Sequence, residues 1–118
     1  MKNLESEHQK ALIQWVRLAE KKHPELKALF AIPNGGKRDT RTAANLKREG
    51  VKAGVWDLCL PIPKNSFVGL WVEMKYGKNK LTENQKEFQS LLEPYGHKFV
   101  VCYSWEEARD SLLSYLDN

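Results

Sequence analysis

Two carboxylates and a lysine occur in neighbouring segments that both have the composition of β-strands. Asp57 lies in the apolar run over residues 55–60, and Glu73 and Lys75 lie in the run over residues 67–76. A proline-containing turn separates the two runs, which predicts a hairpin. Period-two alternation places Glu73 and Lys75 on the same face of the second strand. We therefore expect the three charged side chains to meet at one end of the hairpin.

Such a set of side chains is suited to divalent-cation chemistry. Two carboxylates supply hard oxygen ligands, which favours Mg²⁺ or Mn²⁺ and argues against zinc. A cation held in this way keeps positions for water and a phosphate oxygen, and Lys75 could orient the water or stabilise the developing charge. The pattern E-x-K in a strand is also typical of a cross-strand ion pair at the end of a sheet. The additional carboxylate of Asp57 favours the functional interpretation, because an unpaired buried charge is costly.

The elements that must position these residues alternate between helix and strand. The pattern predicts one central mixed β-sheet of about four strands with helices on both faces, an α/β fold in the order αβαββαβα. Capping residues support three of the helices, with a capping box at Thr82–Gln85. The remaining predicted elements are a helix over residues 4 to about 22, a strand over 26–32, a short helix over 40–49, a helix from 83 to about 93, a strand over 97–103 and a last helix to about 116.

Length and composition limit the protein class. The chain has 118 residues, of which 42% are hydrophobic and 29% charged. These values predict a single globular domain over residues 1–118 and exclude a disordered chain. No apolar run approaches membrane-spanning length and the first residues lack the apolar centre of a secretory signal, so we expect a cytoplasmic protein. Cys59 and Cys102 lie in apolar runs and are expected to be reduced core thiols.

Positive charge is concentrated in one segment. The chain carries +4 overall, and six basic against two acidic residues between Gly36 and Lys52 carry the same excess. This segment is either a solvated helix face or a surface that binds phosphates. The same alternatives apply to the loop that follows the second hairpin strand. The candidate DNA-binding residues are Lys37, Arg38, Arg41, Lys47, Arg48, Lys78 and Lys80.

Aromatic and imidazole side chains are expected to be structural. The four tryptophans lie within apolar elements, which predicts core positions rather than base stacking: Trp15, Trp56, Trp71 and Trp105. The three histidines show no mutual ligand spacing. His8 and His23 are expected to be exposed, and His97 is expected to end a turn.

An ordered series of motifs resembles the VRR-NUC family of the PD-(D/E)xK nuclease superfamily. The segments that carry the resemblance span nearly the whole chain, in the family's order: Ile32-Pro33-Asn34-Gly35, residues 50–58, residues 70–75, residues 81–86, Gly96-His97 and Glu106-Glu107-Ala108. One departure is Trp56, which stands where the family usually has proline before the aspartate. That position shapes the backbone rather than the chemistry, so the resemblance stands.

The resemblance implies a restriction-endonuclease-like core and a Mg²⁺- or Mn²⁺-dependent DNA endonuclease. It identifies Asp57 and Glu73 as metal ligands, with the carbonyl of Val72 or of Met74 completing the shell. It identifies Lys75 as the catalytic lysine. A non-catalytic DNA-binding module remains the alternative, although such a module would be expected to have lost one of these three charged side chains.

Two further site residues follow from the same resemblance. Gln85 corresponds to the family's glutamine on the helix after the E-x-K strand, although the capping box explains this residue equally well. The first helix should supply a glutamate, for which Glu7 and Glu5 compete. Glu7 is preferred, because the spacing Glu7-x-Gln9 is more similar to the family.

The resemblance also suggests substrates and assembly. The chain is similar to stand-alone phage and bacterial members, whose organisation is like that of Holliday-junction resolvases and which assemble as homodimers. A two-fold dimer presents two sites to two strands, as symmetric incision of a four-way junction requires. Junction cleavage is preferred over the action of a nickase or flap nuclease, and no membrane partner is expected.

Overall fold

A four-stranded mixed sheet forms the centre of the computed structural model, which describes residues 4–33 and 40–117. The strands lie in chain order, with antiparallel pairs β1–β2 and β2–β3 and the parallel pair β3–β4. The α/β prediction is confirmed. The elements are α1 Leu4–Ala19, β1 Phe30–Ala31, α2 Thr40–Arg48, β2 Leu58–Leu60, β3 Gly69–Met74, α3 Glu83–Leu92, β4 His97–Cys102 and α4 Trp105–Leu116, with 3₁₀ turns at Pro24–Ala28 and Glu93–Tyr95.

The alternation of β3 separates the hydrophobic core from the predicted site. Leu70, Val72 and Met74 are buried on one face, where they join a core formed with α1 and α4. On the other face, Trp71 packs edge-on against Phe88 of α3, with ring centroids 5.0 Å apart. Because successive side chains of a strand point to opposite faces, Glu73 falls on the α3 side. Helices thus cover both faces of the sheet, as predicted.

The segment over residues 26–32 is not the predicted strand. Pro24–Ala28 forms a 3₁₀ turn and β1 is limited to Phe30–Ala31. Proline is favoured in the first turn of a helix, and the amide of Leu26 donates to the carbonyl of His23 at 3.0 Å. Burial of Leu26 in the core anchors this turn. The first helix likewise ends at Ala19, because the amides of residues 22 and 23 both donate to the carbonyl of Ala19.

The central hairpin is shorter than predicted. β2 and β3 pair with Leu58 opposite Val72 and Leu60 opposite Leu70. Asp57 therefore lies one residue before β2 and Lys75 one residue after β3. The predicted ends of the other helices agree with the structure to within one residue at α2, α3 and α4.

Two smaller expectations concern burial and the membrane. Cys59 and Cys102 are buried free thiols, and burial raises the pKa of Cys59 to about 11, as expected for core residues. In the described ranges, the helices are all too short or too polar to cross a bilayer.

Candidate active site

Asp57 and Glu73 hold each other in place at the end of the β2–β3 pair. The backbone amide of Asp57 donates to Oε1 of Glu73 at 3.2 Å, and the amide of Met74 donates to Oδ2 of Asp57 at 2.9 Å. The register of the hairpin explains this exchange, because it continues one step beyond the Leu58–Val72 pair. Each carboxylate is therefore oriented by the backbone of the neighbouring segment.

Lys75 completes a buried charged group. Its Nζ lies 3.2 Å from Oε2 of Glu73, and the two side chains are only 9% and 4% exposed. The amide of Lys75 donates to the carbonyl of Cys102 at 2.9 Å, which extends the pairing with β4. An ion pair this well buried differs from the solvated pairs of most protein surfaces. The structure thus brings together the three charged residues predicted from the sequence.

Gln85 reaches the same group from the first turn of α3. Its side-chain Nε2 donates to Oε2 of Glu73 at 2.8 Å, while its Oε1 accepts from the amide of Thr82 at 2.9 Å. The amide of Gln85 donates in turn to Oγ1 of Thr82, which completes a capping box. The two interpretations of Gln85 are therefore compatible. The capping box uses its oxygen, and this leaves its nitrogen directed at the site.

The electrostatic environment of Glu73 is unfavourable for a carboxylate without a cation. Burial, and after it the nearby charge of Asp57, raises the pKa of Glu73 to about 7, although the ammonium of Lys75 opposes both effects. A buried acid beside another acid is a common feature of functional sites. A bound divalent cation would neutralise both carboxylates.

The donor set fits Mg²⁺ or Mn²⁺. In the described part of the chain, no three His, Cys, Asp or Glu side chains converge, so backbone oxygens and water would complete the shell of Asp57 and Glu73. The amide of Lys75 points to β4, so the carbonyl of Met74 on the same peptide points to the opposite side, where Asp57 lies. The carbonyl of Val72 lies within the paired part of the β2–β3 ladder. Between the two predicted carbonyls, this geometry favours Met74.

The two candidate glutamates of α1 have different partners. Oε2 of Glu5 accepts from Nδ2 of Asn79 at 2.9 Å, in the loop after β3. Glu7 instead pairs with Lys10 on its own helix at 3.3 Å. The structure therefore brings Glu5 into contact with the segment that follows Lys75, and the preferred role of Glu7 stays a prediction.

The basic candidates lie at two places. Lys78 and Lys80 are exposed in the loop after β3, and Tyr103 holds this loop through a 2.8 Å bond from its hydroxyl to the carbonyl of Asn79. Lys47 and Arg48 are exposed at the end of α2. Lys37 and Arg38 lie outside the described residues, and so does the side chain of Arg41.

A groove leads from α2 to the site. Its volume is about 1280 Å³, and α2, the segment over residues 50–55 and α3 form its walls. Lys47 and Lys52 lie among apolar residues along it, and Asp57 and Gln85 also line it. A ligand larger than a single nucleotide could therefore contact Asp57 from this side.

Sequence reasoning missed two structural partners of the site. Trp56 is fully buried, and its indole Nε1 donates to the carbonyl of Gln85 at 3.0 Å. The only sequence signal for this role was its unusual position before Asp57. His8 is half-buried, whereas the sequence predicts an exposed side chain. Its Nδ1 accepts from the amide of Trp105 at 3.1 Å, and its ring stacks on Tyr76.

The fold and the site together define a nuclease-like α/β domain, with two carboxylates and a lysine at the end of a mixed sheet. A family model described as "VRR-NUC domain" matches residues 2–106. The chain therefore belongs to the VRR-NUC family. A solved structure described as "VRR_NUC domain protein" is 29% identical, with a TM-score of 0.81, and the match covers 96% of this chain and 88% of that one. Among curated proteins, no match was found.

Proposed function

We propose that this protein is a Mg²⁺- or Mn²⁺-dependent DNA endonuclease that hydrolyses phosphodiester bonds. Membership of a nuclease-type family supports the class of activity. The observation that carries the proposal is the reciprocal bonding of Asp57 and Glu73 beside the buried ammonium of Lys75. A passive DNA-binding module would have no need for two carboxylates in the place where DNA phosphates must approach, because like charges repel.

The residues of the site have separate roles in this mechanism. A divalent cation, when bound, supplies Lewis acidity and makes water a better nucleophile. Asp57 and Glu73 would hold it, each oriented by a backbone amide. Lys75 places a compact positive charge beside the carboxylates, where it stabilises charge that develops on the phosphate oxygens. Gln85 keeps Oε2 of Glu73 in one orientation.

For the substrate, we propose branched DNA, cut as a four-way junction by a homodimer. Exposed lysines beside the site, such as Lys78 and Lys80, would contact phosphates and carry little sequence information, which favours recognition of backbone shape. A homodimer fits this substrate, since two symmetric sites suit two strands of a junction. A nickase or a flap-type nuclease with the same site is the alternative.

The test is cleavage of labelled four-way junction, flap and linear duplex in Mn²⁺, Mg²⁺ or EDTA. Glu73→Gln should lower the cleavage rate at least about a hundredfold, because it removes a metal ligand. Glu25→Gln is the matched control, since Glu25 is also paired with a lysine, Lys64, at 3.5 Å but belongs to the 3₁₀ turn before β1. The mass of the protein in solution reports the dimer.

Each outcome separates the alternatives. Symmetric, metal-dependent cuts in the junction by a dimer, lost in Glu73→Gln and retained in Glu25→Gln, would support the whole proposal. Cuts in the flap, or single-strand nicks in the linear duplex, without cleavage of the junction would retain the nuclease and remove the junction role. Binding of DNA without cleavage, equal in Mg²⁺ and EDTA, would leave a DNA-binding module.

A further inference from the structure

Trp56 connects two of the protein groups that donate to the carboxylate of Glu73, the amide of Asp57 and the side chain of Gln85. Its own peptide leads directly into Asp57, whose amide donates to Oε1 of Glu73. Its indole nitrogen donates to the carbonyl of Gln85, whose side chain donates to Oε2 of Glu73. One residue thus contacts the segments on both sides of the proposed metal ligand.

Gln85 cannot adjust its position independently of α3. Its backbone amide, its carbonyl and both ends of its side-chain amide all have hydrogen-bond partners. Whether its Nε2 reaches Glu73 therefore depends on where the first turn of α3 lies relative to Asp57. The indole of Trp56 joins this turn to the sheet, because it donates to the carbonyl of Gln85 while its ring is held edge-on against Phe99 of β4, with centroids 4.8 Å apart.

We propose that Trp56 is a positioning residue of this site, which acts through Gln85 to hold Glu73 in the orientation that binds the cation. This inference rests on the proposed metal dependence. A residue without an N–H in the same place could fill the space but would leave the carbonyl of Gln85 without this donor. Outer partners of metal ligands commonly change metal affinity by about 10–100-fold.

The chain supplies a matched control in Trp71. Its indole also donates one hydrogen bond, to Nδ1 of His97 at 3.1 Å, and its ring also contacts Phe99. Its bond partner lies at the opposite end of β3 from Glu73, since His97 pairs with Gly69. Trp56→Phe and Trp71→Phe therefore each remove an indole N–H from the same aromatic cluster. Only Trp56→Phe removes a hydrogen bond to Gln85.

The experiment is calorimetric titration of Mn²⁺ into the wild type, Trp56→Phe, Trp71→Phe, Gln85→Ala and the double variant Trp56→Phe/Gln85→Ala. We expect Trp56→Phe to weaken Mn²⁺ binding about tenfold and Trp71→Phe by less than twofold. The double variant should bind as Gln85→Ala does, because a residue that acts through Gln85 has no further effect without it. Cleavage by Trp56→Phe should recover at high Mn²⁺ concentration.

Three results of this titration would overturn the proposal. Equal Mn²⁺ affinities of Trp56→Phe and Trp71→Phe would reduce Trp56 to a packing residue, and additive effects in the double variant would separate it from Gln85. A wild type that binds no Mn²⁺ would overturn this inference together with the proposed function. If the wild type binds Mn²⁺ and either of the first two results is obtained, this inference fails and the proposed function is unaffected.

A measurement on the wild type covers the case in which Trp56→Phe does not fold. Hydrogen exchange of the indole N–H groups is followed by NMR with and without Mg²⁺, with signals assigned by replacing the other tryptophans one at a time. Exchange at Trp56 should slow at least threefold with Mg²⁺, whereas Trp71 should not change. Equal exchange of the Trp56 indole in both conditions would contradict the proposal.

Discussion

At the scale of single residues, Glu73 determines how the site responds to pH. It receives hydrogen bonds from Asp57 and Gln85 and pairs with Lys75, yet burial and the charge of Asp57 raise its pKa to about 7. Metal binding requires the deprotonated form, so protons and cations compete for this carboxylate. The proposed nuclease should therefore lose cation affinity well above the pH at which an exposed glutamate is protonated.

We predict that Mg²⁺ affinity is about tenfold lower at pH 6 than at pH 8, because one proton must leave Glu73 below its pKa of about 7. Calorimetry in buffers of different ionisation enthalpy should detect close to one proton released per cation at pH 6 and almost none at pH 8. Equal affinities at the two pH values would contradict a protonated Glu73.

The raised pKa of Glu73 also predicts how the stability of the cation-free protein depends on pH. The folded-state pKa of about 7 lies above the ordinary value of 4.5, so the folded state binds this proton more tightly than the unfolded state. The contribution of Glu73 is therefore fully present below pH 4.5 and is lost as the pH rises to 7. Urea unfolding in EDTA should show this decline in the wild type and a smaller one in Glu73→Gln.

At the scale of elements, the first turn of α3 must lie directly on the segment before Asp57. Gly54 has a φ of 88°, and a Cβ at this position would lie 2.4 Å from the carbonyl oxygen of Asn84. The close approach of these backbones, together with the capping box at Thr82, places Gln85 beside Glu73. The candidate site thus depends on a contact between a turn and a helix end as much as on the sheet.

We predict that Gly54→Ala is more damaging than Gly50→Ala. Both glycines have positive φ, which costs an alanine about 1–2 kcal/mol, but Gly50 has open space around it. Gly54→Ala must in addition displace α3 from the site. Chemical unfolding should show the larger loss of stability for Gly54→Ala, and calorimetry should show weaker Mn²⁺ binding for this variant alone. Similar losses in both variants would mean that backbone strain is the whole effect.

At the scale of the whole molecule, exposed positive charge borders the site. Lys78 and Lys80 lie in the loop that Glu5 and Tyr103 hold through Asn79. α1 begins beside this loop, and its 16 residues carry the chain about 24 Å away, to the turn after Ala19. Two adjacent exposed lysines, Lys21 and Lys22, lie at that far end. Replacing them lowers the net charge as much as replacing Lys78 and Lys80 does, but away from the site.

We predict that Lys78→Ala/Lys80→Ala weakens DNA binding. The slope of the logarithm of the binding constant against the logarithm of the salt concentration should become shallower by about 2, because binding releases about one fewer counterion for each phosphate contact that is lost. Lys21→Ala/Lys22→Ala changes the net charge equally and should leave the slope within about 0.5 of the wild type. Fluorescence anisotropy with a labelled junction at several salt concentrations measures both. Identical slopes for the two variants would remove the loop from the interface.

Much of the site could be predicted because its signals are local. The alternation of β3 places Glu73 opposite the core residues Val72 and Met74, and this pattern is present in six consecutive residues. The capping box at Thr82 is likewise contained within four residues. By contrast, residues 26–32 could be read as a strand, because a short apolar run has the same appearance in a strand and in a buried turn.

The sequence by itself determined which charged side chains are available for the proposed chemistry, the order of helices and strands, and the family to which the chain belongs. Only the tertiary structure decided the partners of these groups. Glu5 meets Asn79 across 74 positions of the chain, and Trp56 meets Gln85 across 29. The periodicity of apolar side chains and the caps of helices are set by neighbouring residues. Such distant contacts depend instead on how the sheet and the helices pack, which no local pattern encodes.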